Sequence, residues 1–282
     1  MAEGKFKNLC IRTLSGAVYV SLMVLGVFFP WVMTLLMCFF TVVGLIEYFR
    51  MNPDTADTWS RNILIAYTAI IYLRLLLPQV LHSGLLPISI GTPFAWLSAI
   101  FATFCVVELF LKREEVLHHL GKSLFAVCWI MLPMILITLC SMHGKESAFF
   151  LLLMFVLIWL NDSFAYLGGS LFGKHKMIER ISPNKTWEGT LTGVLMTVVA
   201  SIVIGLLAAA KHDAAPYVWP IFGLLVSAFA TLGDLLESLL KRQAGIKDSG
   251  NIMPGHGGIL DRMDSILFTT YPVALFMMIV CR

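Results

Sequence analysis

The sequence predicts an all-α polytopic integral membrane protein with about nine transmembrane helices, and three observations carry that expectation. First, 59% of the 282 residues are hydrophobic and only 13% are charged, with a mean hydropathy of +0.85. A soluble domain carries about 25% charged residues. Second, the apolar excess falls in long blocks. A hydrocarbon core of about 30 Å crossed at 1.5 Å per residue needs about 20 residues, so nine crossings use about 180 and leave roughly 100 for loops. Third, the basic residues alternate between successive loops. This arithmetic excludes an ordinary soluble enzyme, a disordered chain and a nucleic-acid binder.

In chain order, the apolar stretches run over residues 13–29, 31–49, 62–80, 85–111, 121–140, 148–170, 190–210, 216–240 and 264–281. Lys5, Lys7 and Arg12 precede the first. No A-x-A-like cleavage site follows it and a second span begins at once, so it reads as an uncleaved helix. The fourth stretch is long and holds Pro87 and Pro93, which predicts a kinked, tilted or partly re-entrant element. The six cysteines (Cys10, Cys38, Cys105, Cys128, Cys140, Cys281) form no CxxC pair and read as small packing residues.

Of the 20 Lys and Arg, 16 fall on one alternate set of loops. That set comprises Lys5, Lys7 and Arg12; Arg50 and Arg61; Lys112, Arg113 and Lys122; Lys174, Lys176, Arg180 and Lys185; and Lys241, Arg242, Lys247 and Arg262. The opposite set has only Lys145, Lys211 and Arg282, with Arg74 inside the third span. The positive-inside rule then makes the N-terminus cytoplasmic and puts the C-terminus on the opposite side. Residues 1–147 read as five scaffold or lipid-facing spans, and residues 148–282 as a catalytic region of four spans. Glu47, Glu108 and Arg74 are candidate structural ion partners within the first region.

Notable polar residues gather in two cytoplasmic connections, 161–189 and 234–264, both rich in Gly and Pro. Irregular backbone at membrane depth is tolerated only when buried in protein or lining a wet cavity. In the first connection Asp162 and Tyr166 are four apart and share a helix face. An intramembrane carboxylate is costly unless paired or metal-bound; Asp162 as a cap, or as a partner of Lys174, is the plainer reading. Gly168 to His175 nearly spells a phosphate-binding P-loop, but His175 replaces the required hydroxyl and no strand precedes it, so that reading fails. A looser exposure of N–H groups to a phosphate stays open. Ser182 then reads as a helix cap with Pro183 at the first helical position. With Asn184, Lys185 and Thr186 this makes a candidate anion site at a helix start, the alternative being plain capping with Trp187 as an interfacial anchor.

In the second connection Asp234, Glu237, Ser238 and Lys241 recur at helical spacing along one face. Asp261 and Asp264 project from one side of the last helix as it begins. Carboxylates brought together repel unless a cation neutralises them. Hard oxygen ligands beside phosphate chemistry point to Mg²⁺, which takes one or two carboxylates plus substrate phosphates. Lys241, Arg242, Lys247 and Arg262 supply positive charge for a polyphosphate. His256 has three compatible roles: binding phosphate, shuttling a proton, or fixing the loop.

The run from Ser238 to Asp264 resembles the signature of the phosphatidate cytidylyltransferases: S-x-x-K-R, four spacers, K-D-x-G, P-x-H-G-G and D-R-x-D. It is matched by Ser238, Lys241, Arg242, Lys247, Asp248, Gly250, Pro254, His256, Gly257, Gly258, Asp261, Arg262 and Asp264. Met253 stands where Leu, Ile or Phe is usual, a conservative departure. Upstream, Asp162, Ala165, Tyr166, Gly168, Phe172, Gly173 and Lys174 are similar to the same family, as are Ser182 to Thr186 with Glu188 and Gly189, and Gly233 with Asp234.

The resemblance implies that CTP and phosphatidic acid give CDP-diacylglycerol and pyrophosphate at the cytoplasmic face, with dependence on Mg²⁺, one ion or two. It also implies a homodimer. With the motif, the spacing makes Asp261 and Asp234 the leading metal ligands, Asp264 and Asp248 next. The expected catalytic set is Asp261, Asp234, Asp264, Lys241, Arg262 and His256. Substrates fall to Arg242, Lys247, Ser182, Asn184, Lys185, Asp162 and Ser238. The expected location is a bacterial cytoplasmic membrane, with the lipid bilayer as a partner and no nucleic acid. A CTP-dependent lipid or polyprenol kinase would use similar loops. A CDP-alcohol phosphatidyltransferase would show a D-G-x-x-A-R pattern, which is absent. A transporter would show paired halves with interrupted helices, and no internal repeat suggests them.

Overall fold

The computed structural model describes residues 2–51, 58–81, 91–111, 115–208, 215–255 and 257–280, with the side chains of residues 2–10, 91–94 and 111 left aside. His256 therefore lies outside the described residues, as do Lys112, Arg113, Lys211, Arg282, Pro87 and Cys281.

Long apolar runs without interior turn residues become helices because only a helix satisfies every backbone group inside hydrocarbon. In order these are α1 (Ala2–Phe28), α2 (Pro30–Met51), α3 (Thr58–Leu81), α4 (Gly91–Leu111), α5 (Val116–Ala126), α6 (Leu132–Met142), α7 (Lys145–Phe172), α8 (Trp187–Ala208), α9 (Val218–Gln243) and α10 (Leu260–Val280). A π turn over Val127–Met131 fuses α5 and α6 into one rod. Pro133 follows directly and has no N–H to return to the ladder, which a one-residue slip accommodates. Among the described residues eight rods are long and apolar enough to cross a membrane. The expected fourth crossing corresponds to α4, 21 residues long, within which Ala95–Phe110 is the apolar stretch among the residues whose side chains are described. The chain is a multi-pass, all-α integral membrane protein.

α4 begins at Gly91, so Pro93 falls in its first turn, where a missing N–H disturbs nothing. Two proline-bearing helices continue through their prolines, α3 at Pro78 and α10 at Pro272. The C-terminal helices α7 to α10 pack side by side, and α2 and α6 lie against α10. Aromatic side chains fill the middle of this group: Phe150 stacks on Trp219 with ring centres 5.8 Å apart and meets Phe222 edge-on at 5.2 Å.

One departure from pure helix matters for the site. Lys176–Ile178 (β1) and Ser182–Thr186 (β2) form an antiparallel hairpin pairing Lys176 with Thr186 and Ile178 with Ser182. The expected Ser182 cap with Pro183 opening a helix is thereby corrected. Pro183 sits in a two-stranded edge, which tolerates its missing donor, and α8 starts only at Trp187. The cap is Thr186, whose hydroxyl accepts the Gly189 N–H at 3.2 Å.

Candidate active site

Helix ends that carry basic residues meet at one face. The start of α1 reaches the loop before α10, where Ser15 Oγ donates to the Pro254 carbonyl at 3.1 Å. The end of α2 joins the same loop through Glu47, and Tyr48 donates to the Lys122 carbonyl at 3.2 Å. On this face a cavity of about 800 Å³ opens. Its walls come from Gly16 and Tyr19 of α1, Asp162 and Tyr166 of α7, Asn184 and Lys185 of β2, Asp234 and Lys241 of α9, and Asp261, Arg262 and Asp264 of α10. Both polar connections singled out in the sequence therefore contribute to one space.

Small residues explain why these helix ends converge. Gly189, Gly193, Thr197, Ser201 and Gly205 recur every four residues along the buried face of α8. A Cβ at Gly189 would lie 2.7 Å from the Ala165 carbonyl oxygen, and one at Gly193 would lie 2.9 Å from that of Asn161. The α7 and α8 backbones thus touch, as helices do in membranes when small residues line the seam. Gly233 does the same for α9, since a Cβ there would meet the Asp264 carbonyl oxygen at 2.7 Å. That approach brings Asp234, its neighbour in sequence, to the same cavity as Asp264.

Two carboxylates hold the loop between α9 and α10. Asp261 Oδ1 accepts from Lys241 Nζ at 2.8 Å, and Oδ2 accepts the N–H groups of Ser249 at 2.9 Å and Gly258 at 2.8 Å. Lys241 also pairs with Glu237 at 2.7 Å, a fully buried side chain one helical turn away. A single ammonium is thus clamped between two acids, which offsets the cost of placing any of them out of water. The second organiser is Glu47, only 2% exposed. Its Oε1 accepts the Ile259 N–H at 3.0 Å; Oε2 accepts the Leu260 N–H at 2.9 Å and the Ser249 hydroxyl at 3.1 Å. The α10 N-terminus carries unpaired donors and a partial positive charge, so this acid caps the helix from across the fold. Space for it explains two motif glycines: a Cβ would lie 2.4 Å from Glu47 Oε1 at Gly250 and 2.6 Å from Oε2 at Gly258. Gly257 adopts φ +91°, where side chains are strained, and a Cβ there would also meet Asp261.

The hairpin closes the other side. Lys185 Nζ reaches Asp234 Oδ2 at 2.6 Å, and Ser238 donates to Asp234 Oδ1 at 3.3 Å. Arg242 Nε donates to the Ile181 carbonyl at 3.3 Å, tying the end of α9 to the hairpin. The N–H groups of Lys174 and His175 donate to Glu188, and His175 Nδ1 lies 2.5 Å from the same carboxylate. The donors of the near-P-loop segment are therefore spent on a side chain of the protein.

A family model described as the cytidylyltransferase family matches residues 10–280. The chain belongs to the cytidylyltransferase family. It is similar to proteins named phosphatidate cytidylyltransferase from three staphylococci. Identity is 46% over 126 residues for Staphylococcus aureus strain COL, 44% over 124 for Staphylococcus saprophyticus and 44% over 126 for Staphylococcus epidermidis strain RP62A. Each match covers 44% of this chain and 47% of the relative, so the chain spans about half the length of the curated relatives it matches.

Within this cytidylyltransferase-family chain, nine of the expected site residues line the cavity: Asp162, Asn184, Lys185, Asp234, Lys241, Asp248, Asp261, Arg262 and Asp264. Ser182, Ser238, Arg242 and Lys247 stand outside its wall; Ser238 and Arg242 act on Asp234 and the hairpin instead, while Lys247 is exposed. The lining carries five carboxylates (Asp162, Asp234, Asp248, Asp261, Asp264) against three cations (Lys185, Lys241, Arg262). Asp264 feels the charges of Asp234, Glu237 and Asp162, all of its own sign. Among the described residues no three acids, histidines or cysteines stand close enough to cage a metal by themselves. One or two of the lining carboxylates could still serve an ion such as Mg²⁺, which completes its shell with phosphate and water. Sequence reasoning left Glu47 unplaced. Its signal was an acid inside an otherwise apolar span, but its partners lie more than 200 residues away.

Proposed function

We propose that this protein transfers the cytidylyl group of CTP to phosphatidic acid, releasing pyrophosphate and forming CDP-diacylglycerol, at the cytoplasmic face of a bacterial inner membrane. The observation that supports it best is the excess of carboxylates in a large cavity at a face rich in Lys and Arg. Both substrates are anions, so a cavity of surplus negative charge receives them only together with cations. The lipid and the soluble nucleotide also meet only where a site lies at the membrane surface. The chain spans its membrane with the N-terminus in the cytoplasm, as the distribution of basic residues requires.

A lipid phosphate oxygen attacks the α-phosphorus of CTP and the bond to pyrophosphate breaks. The attacking oxygen is already ionised at neutral pH, so no protein nucleophile and no strong base are needed. What remains is positioning and charge. Asp234, Asp261, Asp264 and Asp248 would hold Mg²⁺, one ion or two, with Asp162 on the same cavity wall; Asp234 is oriented by Lys185 and Ser238, and Asp261 by Lys241 and the loop backbone. When bound, the metal neutralises phosphate charge and polarises the reacting phosphate. Lys185 and Arg262 orient phosphate oxygens at the cavity wall, and Asn184 offers an uncharged donor. Lys241 pairs with Asp261 and holds it in place. Arg242 and Ser238 position the hairpin and Asp234, and Lys247 draws the polyphosphate toward the mouth. His256, within the P-x-H-G-G motif, serves by binding phosphate, shuttling a proton or fixing the loop. A homodimer is the expected assembly.

The test uses purified protein in detergent micelles of phosphatidic acid with Mg²⁺ and CTP labelled at its α-phosphate. Label entering the organic phase, and lost with EDTA, is the expected result. In a parallel sample with CTP labelled at its γ-phosphate, transfer from that label alone would point to a lipid kinase, and no transfer from either label by demonstrably folded protein would refute both.

A further inference from the structure

We propose that a groove between α1 and α2 holds one acyl chain of the diacyl phosphate whose head group reacts in the cavity. This rests on the function proposed above and names a second part of the same site. A separate concavity of about 370 Å³ runs beside the charged cavity, lined by Leu14, Val18 and Leu22 of α1, Phe39 of α2, and Met253 and Pro254 of the loop. Tyr19 and Met253 belong to the walls of both spaces. A lipid with its phosphate in one and a chain in the other crosses at that shared boundary.

Three features set this groove apart from the ordinary lipid-facing surface of a helix. The first is its length. Ile11 and Leu22 mark its ends on α1, eleven steps of 1.5 Å, or about 16 Å. Half of a hydrocarbon core of about 30 Å is about 15 Å, so the groove matches the depth of one leaflet. The second is its third wall. Ile252, Met253 and Pro254 are apolar residues within a connection otherwise rich in charge, and Ile252 is half exposed. The Ser15 hydroxyl fixes this segment on α1 through the Pro254 carbonyl. The same loop that carries the charged signature therefore presents apolar side chains toward the groove. The third is the divide itself. The Tyr19 hydroxyl lies 3.4 Å from the Arg262 carbonyl oxygen, while its ring stacks on Phe40 with centres 6.2 Å apart. One side chain thus joins the polar floor of the cavity to the apolar wall of the groove, the arrangement an amphipathic ring adopts at a boundary.

The experiment uses the full chain in vesicles with phosphatidic acid bearing a photoreactive group at the end of one acyl chain. Adducts are expected on the peptide spanning Leu14–Leu22 and on residues 252–254, and they should fall when unlabelled phosphatidic acid competes. Phosphatidylcholine bearing the same group should label these peptides several-fold less. Equal labelling by both lipids, or labelling confined to other helices, would reduce the groove to a bulk-lipid contact and overturn the proposal. Kinetics give a second arm. Val18→Trp fills the groove and should raise KM for dioleoyl phosphatidic acid about fivefold or more. KM for CTP and turnover of dihexanoyl phosphatidic acid should stay unchanged. Leu206→Trp, on an exposed position of α8, should move none of these; identical behaviour of the two variants would refute the groove. If the unaltered chain transfers no cytidylyl group, the function fails, and the labelling arm still decides whether a chain sits there.

Discussion

Replacing Glu47 by Gln keeps the shape of the side chain but exchanges one acceptor oxygen for a donor, and the surroundings show what that costs. Oε1 serves one N–H, of Ile259; Oε2 serves two donors, the Leu260 N–H and the Ser249 hydroxyl. The amide will place its oxygen where two donors point and its NH₂ against Ile259, losing one charge-assisted bond and the attraction of the acid for the helix start. A bond to a charged group contributes about 1.5–3 kcal/mol, and a charge at a helix terminus up to about 2 kcal/mol when partly buried. The loss is then about 3 kcal/mol. Glu47 is not among the residues lining the cavity, so that energy acts through the loop and the start of α10, which carry Asp248, Asp261 and Arg262. At 1.4 kcal/mol per decade, kcat/KM for cytidylyl transfer should fall about 100-fold. Glu47→Asp, which keeps the charge on a shorter stem, should recover part of it. The assay is label transfer in micelles, read beside thermal unfolding in the same detergent and hydrogen exchange at Ile259 and Leu260. A Gln variant within twofold of the parent, with unchanged exchange at those two amides, would refute the reasoning.

Three further outcomes follow from the same contacts. Lys185→Met removes the partner of Asp234 and leaves five lining carboxylates against two cations; truncating one partner of such a pair costs about 2 kcal/mol, about 30-fold in kcat/KM. The Mg²⁺ concentration for half-maximal activity should fall, since the site becomes more negative, and a rise would argue against a metal held near Asp234. Gly233→Ala places a Cβ 2.7 Å from the Asp264 carbonyl oxygen and should separate α9 from α10 at a cost of about 1–3 kcal/mol, seen as a lower unfolding temperature and lost transfer; retained activity would show that the contact relaxes freely. Thr186→Val deletes the α8 cap at a cost of about 1 kcal/mol, lowering the unfolding temperature by a few degrees, whereas Thr186→Ser should match the parent.

The parts legible in the sequence are those set by solvent. Apolar blocks become rods because lipid leaves the backbone no other choice, and the sidedness of Lys and Arg anticipates that Arg12, Lys122, Lys185 and Lys241 gather near one face. Spacing along a single helix also reads correctly: Glu237 and Lys241 pair as neighbours one turn apart. What escapes is whatever depends on contact between distant segments. The Asp261 carboxylate is expected as a metal ligand from spacing and motif, but its hold on the loop is not legible there, because Ser249 and Gly258 bring their N–H groups to it only once the loop has turned. Ser182 and Pro183 read as a helix start because their local preference fits one. Pairing of β1 with β2 moves the cap to Thr186 and the helix start to Trp187. Glu47 is the sharpest case, since nothing near it in sequence names Ser249, Ile259 or Leu260.

These contacts also bear on how a membrane helix bundle can hold so much charge. Glu47 and Glu237 are acids at membrane-helix ends that the cavity does not use directly, and each is neutralised differently: Glu237 by the ammonium of Lys241, Glu47 by backbone N–H groups and the positive end of α10. Asp261 uses both means at once. Four other acids, Asp162, Asp234, Asp248 and Asp264, line the cavity, and Lys185 pairs with Asp234 and lies near enough to Asp162 to act on its charge. The structure thus separates acids that stabilise the loop from acids whose charge is left toward an incoming ligand. The first group ties α2, α9 and α10 together, so the framework of the cavity depends on a helix from the half of the chain that its sequence marks as scaffold. The second group is costly in isolation, and a cation arriving with phosphate removes that cost. On the proposed function, nucleotide binding would depend on metal by charge, because nucleotide without a cation leaves like charges facing each other across the cavity.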